Sequence, residues 1–204
     1  MRIIFQIFLL FIIVSCSSTK EVQDKISNDK MELCYEIRYS NLMDFYYRDS
    51  IFNEEHLHSN IHHLYENYLL KNGHLEKVTQ KSYIKLFQNL YTDTLLFQTR
   101  ENFENEFNHN PNLLFTSPSA FIAKSGCIDY LFKHLKLIDD SNWRIKWLIK
   151  YNELEAEGFY DFKSPKSQKI IEELISIVPK KDFESITNRR HLLNLMYHYS
   201  TIKY

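Results

Sequence analysis

Glycine and proline are scarce in this chain, with three glycines (Gly73, Gly126, Gly158) and four prolines (Pro111, Pro118, Pro165, Pro179) among 204 residues. Glycines so few and so far apart cannot form a phosphate-cradling loop or a G-x-S-x-G nucleophile elbow, because both need closely spaced positions that only glycine tolerates. The shortage of turn formers favours helices over many short strands. Alanine is equally sparse (Ala120, Ala123, Ala156) while Asn, Lys, Ile, Tyr and Phe abound, the bias expected of an AT-rich genome. Periodicity must therefore carry the fold class. An excess of either charge is missing too, with 25 basic side chains against 26 acidic ones. That balance excludes a nucleic-acid surface, which would show a strong basic excess, and it argues against electrostatic docking to a membrane. Finally, the longest apolar run, Ile3 to Val14 with Gln6 inside it, is twelve residues and falls short of the ~20 needed to cross a bilayer.

That short run is itself informative. Arg2, the apolar stretch and then Ser15-Cys16 follow the order of a secretory signal peptide: a basic start, a greasy centre and a small residue before the cut. Ile13-Val14-Ser15-Cys16 resembles the lipobox of bacterial lipoproteins, in which the cysteine is acylated on sulfur and becomes the first residue after cleavage. The resemblance covers residues 1–16 only. It implies a chain anchored in the bacterial cell envelope by lipid on Cys16, several acyl chains being needed because one holds only marginally. In lipoproteins of double-membrane bacteria an aspartate after that cysteine often signals inner-membrane retention. Ser17 stands here instead, which points to the outer membrane, facing the periplasm or the cell surface.

Removing residues 1–15 leaves 189 residues with 24 basic and 26 acidic side chains, a net of −2. That length suits one domain with a real core, and a composition of 44% hydrophobic, 15% aromatic and 25% charged residues is globular. Residues 17–30, SSTKEVQDKISNDK, contain only Val22 and Ile26 as sizeable apolar side chains. They read as a flexible tether with a reach of roughly 20 Å, leaving residues 31–204 as the folded domain. An oxidising envelope makes Cys34 and Cys127 candidates for a disulfide that would close a loop of about 94 residues. Two buried thiols are the alternative, and Cys127 after Ser125-Gly126 could in principle be an activated thiol at a helix start.

Helical periodicity is clearest from Glu54 to Lys71, where Leu57, Ile61, Leu64, Tyr68 and Leu69 recur and Asn72-Gly73 supplies a stop. Further helices are expected at 79–91, at 142–157 with Ser141 as cap, at 164–178 with Ser164-Pro165 as its opening, and at 188–199. Shorter pieces are expected at 102–107 and 128–137. The stretch Trp143, Ile145, Trp147, Ile149, Tyr151 also alternates like a strand, but its caps and the run Glu153 to Glu157 favour helix. Residues 31–40 fit both periods, and with no second strand to pair it, helix is preferred. The expectation is a mainly α protein: a single helical domain of about six to eight helices, with room for one short N-terminal strand.

Histidine is concentrated between His56 and His74, which holds five of the nine. On a helix His58, His62 and Glu66 follow at i, i+4 and i+8, and two histidines one turn apart can chelate a divalent metal as in H-E-x-x-H zinc sites. The glutamate of that motif is absent, so a third ligand would come from Glu55, Glu66 or His191. With Leu57, Ile61, Leu64 and Tyr68 inward, His58 and His62 fall on the flank, where histidines are usually solvated. Carboxylate pairs at Glu101 with Glu104 and at Glu153 with Glu157 have helical spacing and read as solvated faces. Lys180-Lys181 and Arg189-Arg190 read as a solvent-exposed basic cluster. The many tyrosines and phenylalanines, among them Phe45-Tyr46-Tyr47, Tyr65, Tyr68, Tyr197 and Tyr199, read as core before binding surface. These features lean away from catalysis. The expected function is a membrane-anchored envelope lipoprotein that binds another macromolecule, one form being an immunity or inhibitor protein against a periplasmic toxin. The alternative is a metal-binding protein or metal-dependent enzyme built on the histidine-rich helix 54–71.

Overall fold

Apolar side chains at helical spacing need a partner surface, and in the computed structural model they find it in one another. The structure describes residues 21–35, 37, 61–92, 95–107, 126–157 and 164–200. Among these, 80% are helical and no strand occurs, as the periodicity predicts for a mainly α domain.

The first helix, α1, covers residues 21–35, and residue 37 is helical as well. Residues 21–30 were expected in a tether and the structure corrects this. The segment is too polar to pack through a broad apolar face, but it is pinned by side-chain hydrogen bonds. Gln23 Nε2 donates to the Leu137 carbonyl at 3.2 Å, Ser27 Oγ reaches the same carbonyl at 3.4 Å, and Asn28 Nδ2 donates to Asp182 Oδ1 at 3.2 Å. Met31 and Tyr35 then bury themselves on the same side. The ambiguity over residues 31–40 is thus resolved as helix at 31–35 and 37, the others lying outside the described residues.

α2 spans Ile61–Lys71 and ends as its Asn72-Gly73 signal predicts. Gly73 takes φ +73°, the His74 amide donates to the Leu69 carbonyl at 2.9 Å and the Gly73 amide to Leu70 at 3.1 Å, a Schellman closure. α3 (Gln80–Thr92) is capped by Thr79, whose Oγ1 accepts from the Ser82 amide, and buries Tyr83, Leu86, Phe87 and Leu90 at i, i+3, i+4 and i+7. α4 is Leu95–Phe107, longer than the piece expected there, and buries Thr99 and Phe103. α5, Cys127–Asp129, runs into a π-helical turn at Tyr130–His134. That turn closes through Lys136 at φ +53°, with the Leu137 amide donating to the Leu131 carbonyl at 3.0 Å. Without a side chain that favours the left-handed region, Lys136 bears some strain there. The gain is a Leu137 carbonyl turned towards α1.

α6 is Trp143–Ala156, capped by Asn142 rather than Ser141: the Asn142 side chain accepts from the Arg144 amide at 3.0 Å. Its inward residues, Arg144, Trp147, Tyr151 and Leu154, keep helical spacing, whereas Ile149, which a strand would have placed beside Trp147, is exposed. α7 (Pro165–Ile177) opens with Ser164 Oγ accepting from the Ser167 amide at 3.1 Å and Pro165 in the first turn, as predicted. It packs against α3 and α6, and Gln80 of α3 caps its far end, donating to the Ile175 and Val178 carbonyls at 2.9 and 2.7 Å. After the short α8 (Lys180–Phe183) comes α9, Ile186–Tyr199.

α9 is the axis of the fold. Every residue from Thr187 to Tyr199 except His198 is buried, including Asn188, Arg189, Arg190, His191 and Asn194. The basic pair Arg189-Arg190, expected on solvent, is interior. Burying so polar a helix is feasible only where neighbouring helices supply partners for its side chains.

Candidate functional site

Those partners come from residues whose spacing resembles a metal site. Cys16 and His58 lie outside the described residues, whereas His62 and Glu66 sit one turn apart on α2. The helix turns them inward: His62, Tyr65, Glu66, Tyr68 and Leu69 are buried, so the interior side keeps the expected Tyr68 and Leu69 but swings towards His62 and Glu66, and Leu64 is only partly buried. His62, expected on the flank, is wholly buried. Its Nε2 donates to Asn194 Oδ1 at 2.7 Å, and burial first, then Arg190 and His191, push its pKa down to about 3 against the opposing effect of that hydrogen bond to Asn194. The ring is neutral at physiological pH.

Glu66 takes both arms of Arg189, with Nε to Oε1 and Nη2 to Oε2 at 2.7 Å each, and accepts the Tyr83 hydroxyl proton as well. Arg189 Nη1 donates to the Phe183 carbonyl at 2.6 Å. Burial alone would lower the Arg189 pKa, but the hydrogen bonds and charge of Glu66, with Tyr83, outweigh it and raise it. Burial and the adjacent carboxylate drive Tyr83 well above the usual phenol range. Glu104 plays a similar part at the other end of α9, taking Arg100 and the Tyr197 hydroxyl at 2.5 Å each. The suggested third ligand, His191, faces the Tyr35 hydroxyl, 2.6 Å from its Nε2, and burial with nearby Arg190 lowers its pKa to about 3. Among the described residues no three His, Cys, Asp or Glu side chains gather closely enough to hold a metal ion. A cation at His62 and Glu66 would have to displace Asn194 and Arg189.

Cys34 and Cys127 form a disulfide, with Cα atoms 5.8 Å apart. It fastens α1 to α5 beside the most aromatic part of the interior, since Tyr35 and Ile128 are the neighbours of the two cysteines. There Trp147 stacks on Tyr151 with ring centroids 5.3 Å apart, and His191 lies 5.1 Å from Trp147 and 5.3 Å from Tyr35. Arg144 lies over Trp143 at 4.4 Å and donates to the Asn28 side chain. The remaining cavity among these rings is about 10 Å³. That holds roughly one water molecule and no substrate, so the chamber is packed core with a polar lining. A larger open groove of about 320 Å³ runs between α1, the 136–142 connection and α8, where Lys181 reaches Asp24 at 3.4 Å.

The outer surface carries a second feature that the tether reading concealed. Val22, Ile26, Leu33 and Ile37 are 58, 41, 48 and 52% exposed, four of the six large apolar side chains that stand open among the described residues. Their spacing of four, seven and four residues was visible in the sequence, but a boundary placed at residue 30 split them into two unrelated pairs. No protein-family model matches the chain, no curated protein is significantly similar to it, and no solved structure matches its fold.

Proposed function

We infer that this protein is a lipid-anchored lipoprotein of the bacterial envelope, held through acyl chains on Cys16, that works by binding another macromolecule. The observation that carries this reading is where the ionisable residues are spent. His62 with Asn194, Glu66 with Arg189 and Tyr83, and Glu104 with Arg100 and Tyr197 each join α9 to another helix, and His191 joins it to α1 through Tyr35. Among the described residues they build a rigid body, which leaves its outer surface for recognition. A disulfide between Cys34 and Cys127 accords with an oxidising compartment. Neutralising a toxin that arrives in the periplasm is one job such a body suits, an analogy of architecture rather than of site.

Mass spectrometry of the protein extracted from the envelope tests the anchor: the expected amino-terminal peptide begins at acylated Cys16, and Cys16→Ser abolishes that species. Crosslinking in the envelope followed by purification tests the binding role, with one stoichiometric protein partner expected. A divalent metal that survives dialysis in stoichiometric amount and is lost on His58→Ala with His62→Ala would replace this reading with the metal-site alternative.

A further inference from the structure

We propose that the outward face of α1, formed by Val22, Ile26, Leu33 and Ile37, rests on the zwitterionic lipid surface in which the acyl chains of Cys16 are embedded, fixing how the domain is oriented on the membrane. The proposal rests on acylation of Cys16. At 3.6 residues per turn the four side chains fall within an arc of about 60°, opposite the face that buries Met31 and Tyr35. A helix apolar on both sides has two surfaces to cover, and the domain core covers one.

The stripe is also held in place before any ligand arrives. The disulfide at Cys34, the contacts of Gln23 and Ser27 with Leu137, and those of Asn28 with Asp182 and Arg144 lock α1 to the body from end to end. Nothing further has to fold on contact, so little ordering entropy opposes docking.

Lipid is favoured over protein by position, area and charge. Four residues separate Cys16 from Glu21, and five Cα steps reach at most about 17 Å, so an acylated cysteine keeps the start of α1 at headgroup level. Four half-exposed aliphatic side chains offer a few hundred Å² at most, below the ~800 Å² per partner of a stable protein interface. That small area is adequate where the anchor already supplies proximity and the helix adds only a local contact. Charge then selects the lipid: α1 carries Glu21, Asp24, Asp29 and Glu32 against Lys25 and Lys30, which gives no attraction to anionic headgroups. Asp29 and Lys30 border the apolar arc, each about 20° beyond one of its edges, where the ammonium and the phosphate of a phosphatidylethanolamine headgroup can meet the carboxylate and the amine.

The test uses the acylated full-length protein reconstituted in phosphatidylethanolamine–phosphatidylcholine vesicles with brominated acyl chains, which quench tryptophan only at short range. Ile26→Trp and Leu33→Trp place a probe in the stripe, and Ile149→Trp places one at an exposed apolar position on α6. The expected result is at least a twofold loss of the added emission for the α1 probes and none for the α6 probe, against Trp143 and Trp147 as common background. Two α1 variants guard against one misfolding, and thermal unfolding checks both. Equal quenching at all three positions, or none at any, overturns the proposal. Dimerisation abolished by Ile26→Asp overturns it in favour of a second copy of the chain. Failure of the protein to float with vesicles identifies failure of the acylation reading, which mass spectrometry of Cys16 reports independently of the stripe.

Discussion

Replacing Glu66 by alanine is the sharpest perturbation of this fold, because it removes one carboxylate that satisfies three donors at once. Both Glu66 and Arg189 are nearly sealed from solvent, at 2% and 4% exposure, so water cannot enter to replace the lost partner without opening the packing between α2 and α9. Arg189 would keep the Phe183 carbonyl and the neighbouring Tyr83 hydroxyl oxygen, neither of which carries a charge at pH 7. Two charge-assisted hydrogen bonds at about 1.5–3 kcal/mol each, offset by local relaxation, agree with the ~3–5 kcal/mol typical of breaking a buried ion pair from one side. Against a total stability on the order of 5–15 kcal/mol this is a large fraction. Urea unfolding at pH 7 followed by circular dichroism measures it, with the midpoint falling and the slope unchanged. Glu66→Gln keeps an acceptor but not the charge and should lose less. Glu66→Met with Arg189→Met removes both charges and should recover most of the loss, because the desolvation cost of each ion disappears with it. A loss below about 1 kcal/mol for Glu66→Ala, or a double variant no more stable than that single one, would refute the account of Glu66 as the counterion that allows Arg189 to be interior.

His62 and His191 both have pKa values lowered to about 3 from 6.5, so the unfolded chain binds protons more readily than the folded one. Their contribution is complete above about pH 6.5 and is lost as pH falls towards 3, by about 2–3 kcal/mol for each histidine at pH 4.5. His62→Asn should flatten the fall in stability between pH 6.5 and 4.5 by one proton's worth, and an unchanged slope would contradict burial of a neutral ring. Opening the disulfide with Cys34→Ala and Cys127→Ala should cost about 4–5 kcal/mol from loop entropy, read as a lower urea midpoint that reductant no longer shifts. Lys136→Gly should stabilise by about 0.5–1 kcal/mol, because a left-handed backbone suits glycine better than lysine; destabilisation would mean the lysine side chain contributes to the turn. Ser164→Ala should cost about 1 kcal/mol through loss of the cap on the Ser167 amide, checked by the same unfolding curves.

Which features could be read from the sequence depends on the range of the forces that produce them. Helix ends were legible because caps act within a few residues: Asn72-Gly73 stops α2 and Ser164-Pro165 opens α7 as read. Even the error at α6, Ser141 for Asn142, is one residue between two good capping side chains. The faces of helices were less legible. On α2 the buried stripe runs through His62 and Glu66 because Asn194 and Arg189 wait on α9, more than 120 residues away, and nothing local to α2 reveals them. The same reason placed Arg189 and Arg190 on solvent in the reading and in the interior in the fold.

α1 shows the limit most clearly. Residues 21–30 carry too little apolar surface to order themselves, which made a tether the reasonable expectation, and they are ordered by hydrogen bonds to Leu137 and Asp182 from distant parts of the chain. By itself the sequence determined what depends on neighbours along the chain: helical periods and their caps. Tertiary structure alone decided that α2 and α9 turn charged and imidazole side chains inward, that Cys34 and Cys127 pair rather than remain two buried thiols, and that the buried histidines and carboxylates serve as internal partners. The physical reason is that a buried polar group is tolerable only beside its counterpart, and for this protein the counterparts lie far apart in the chain.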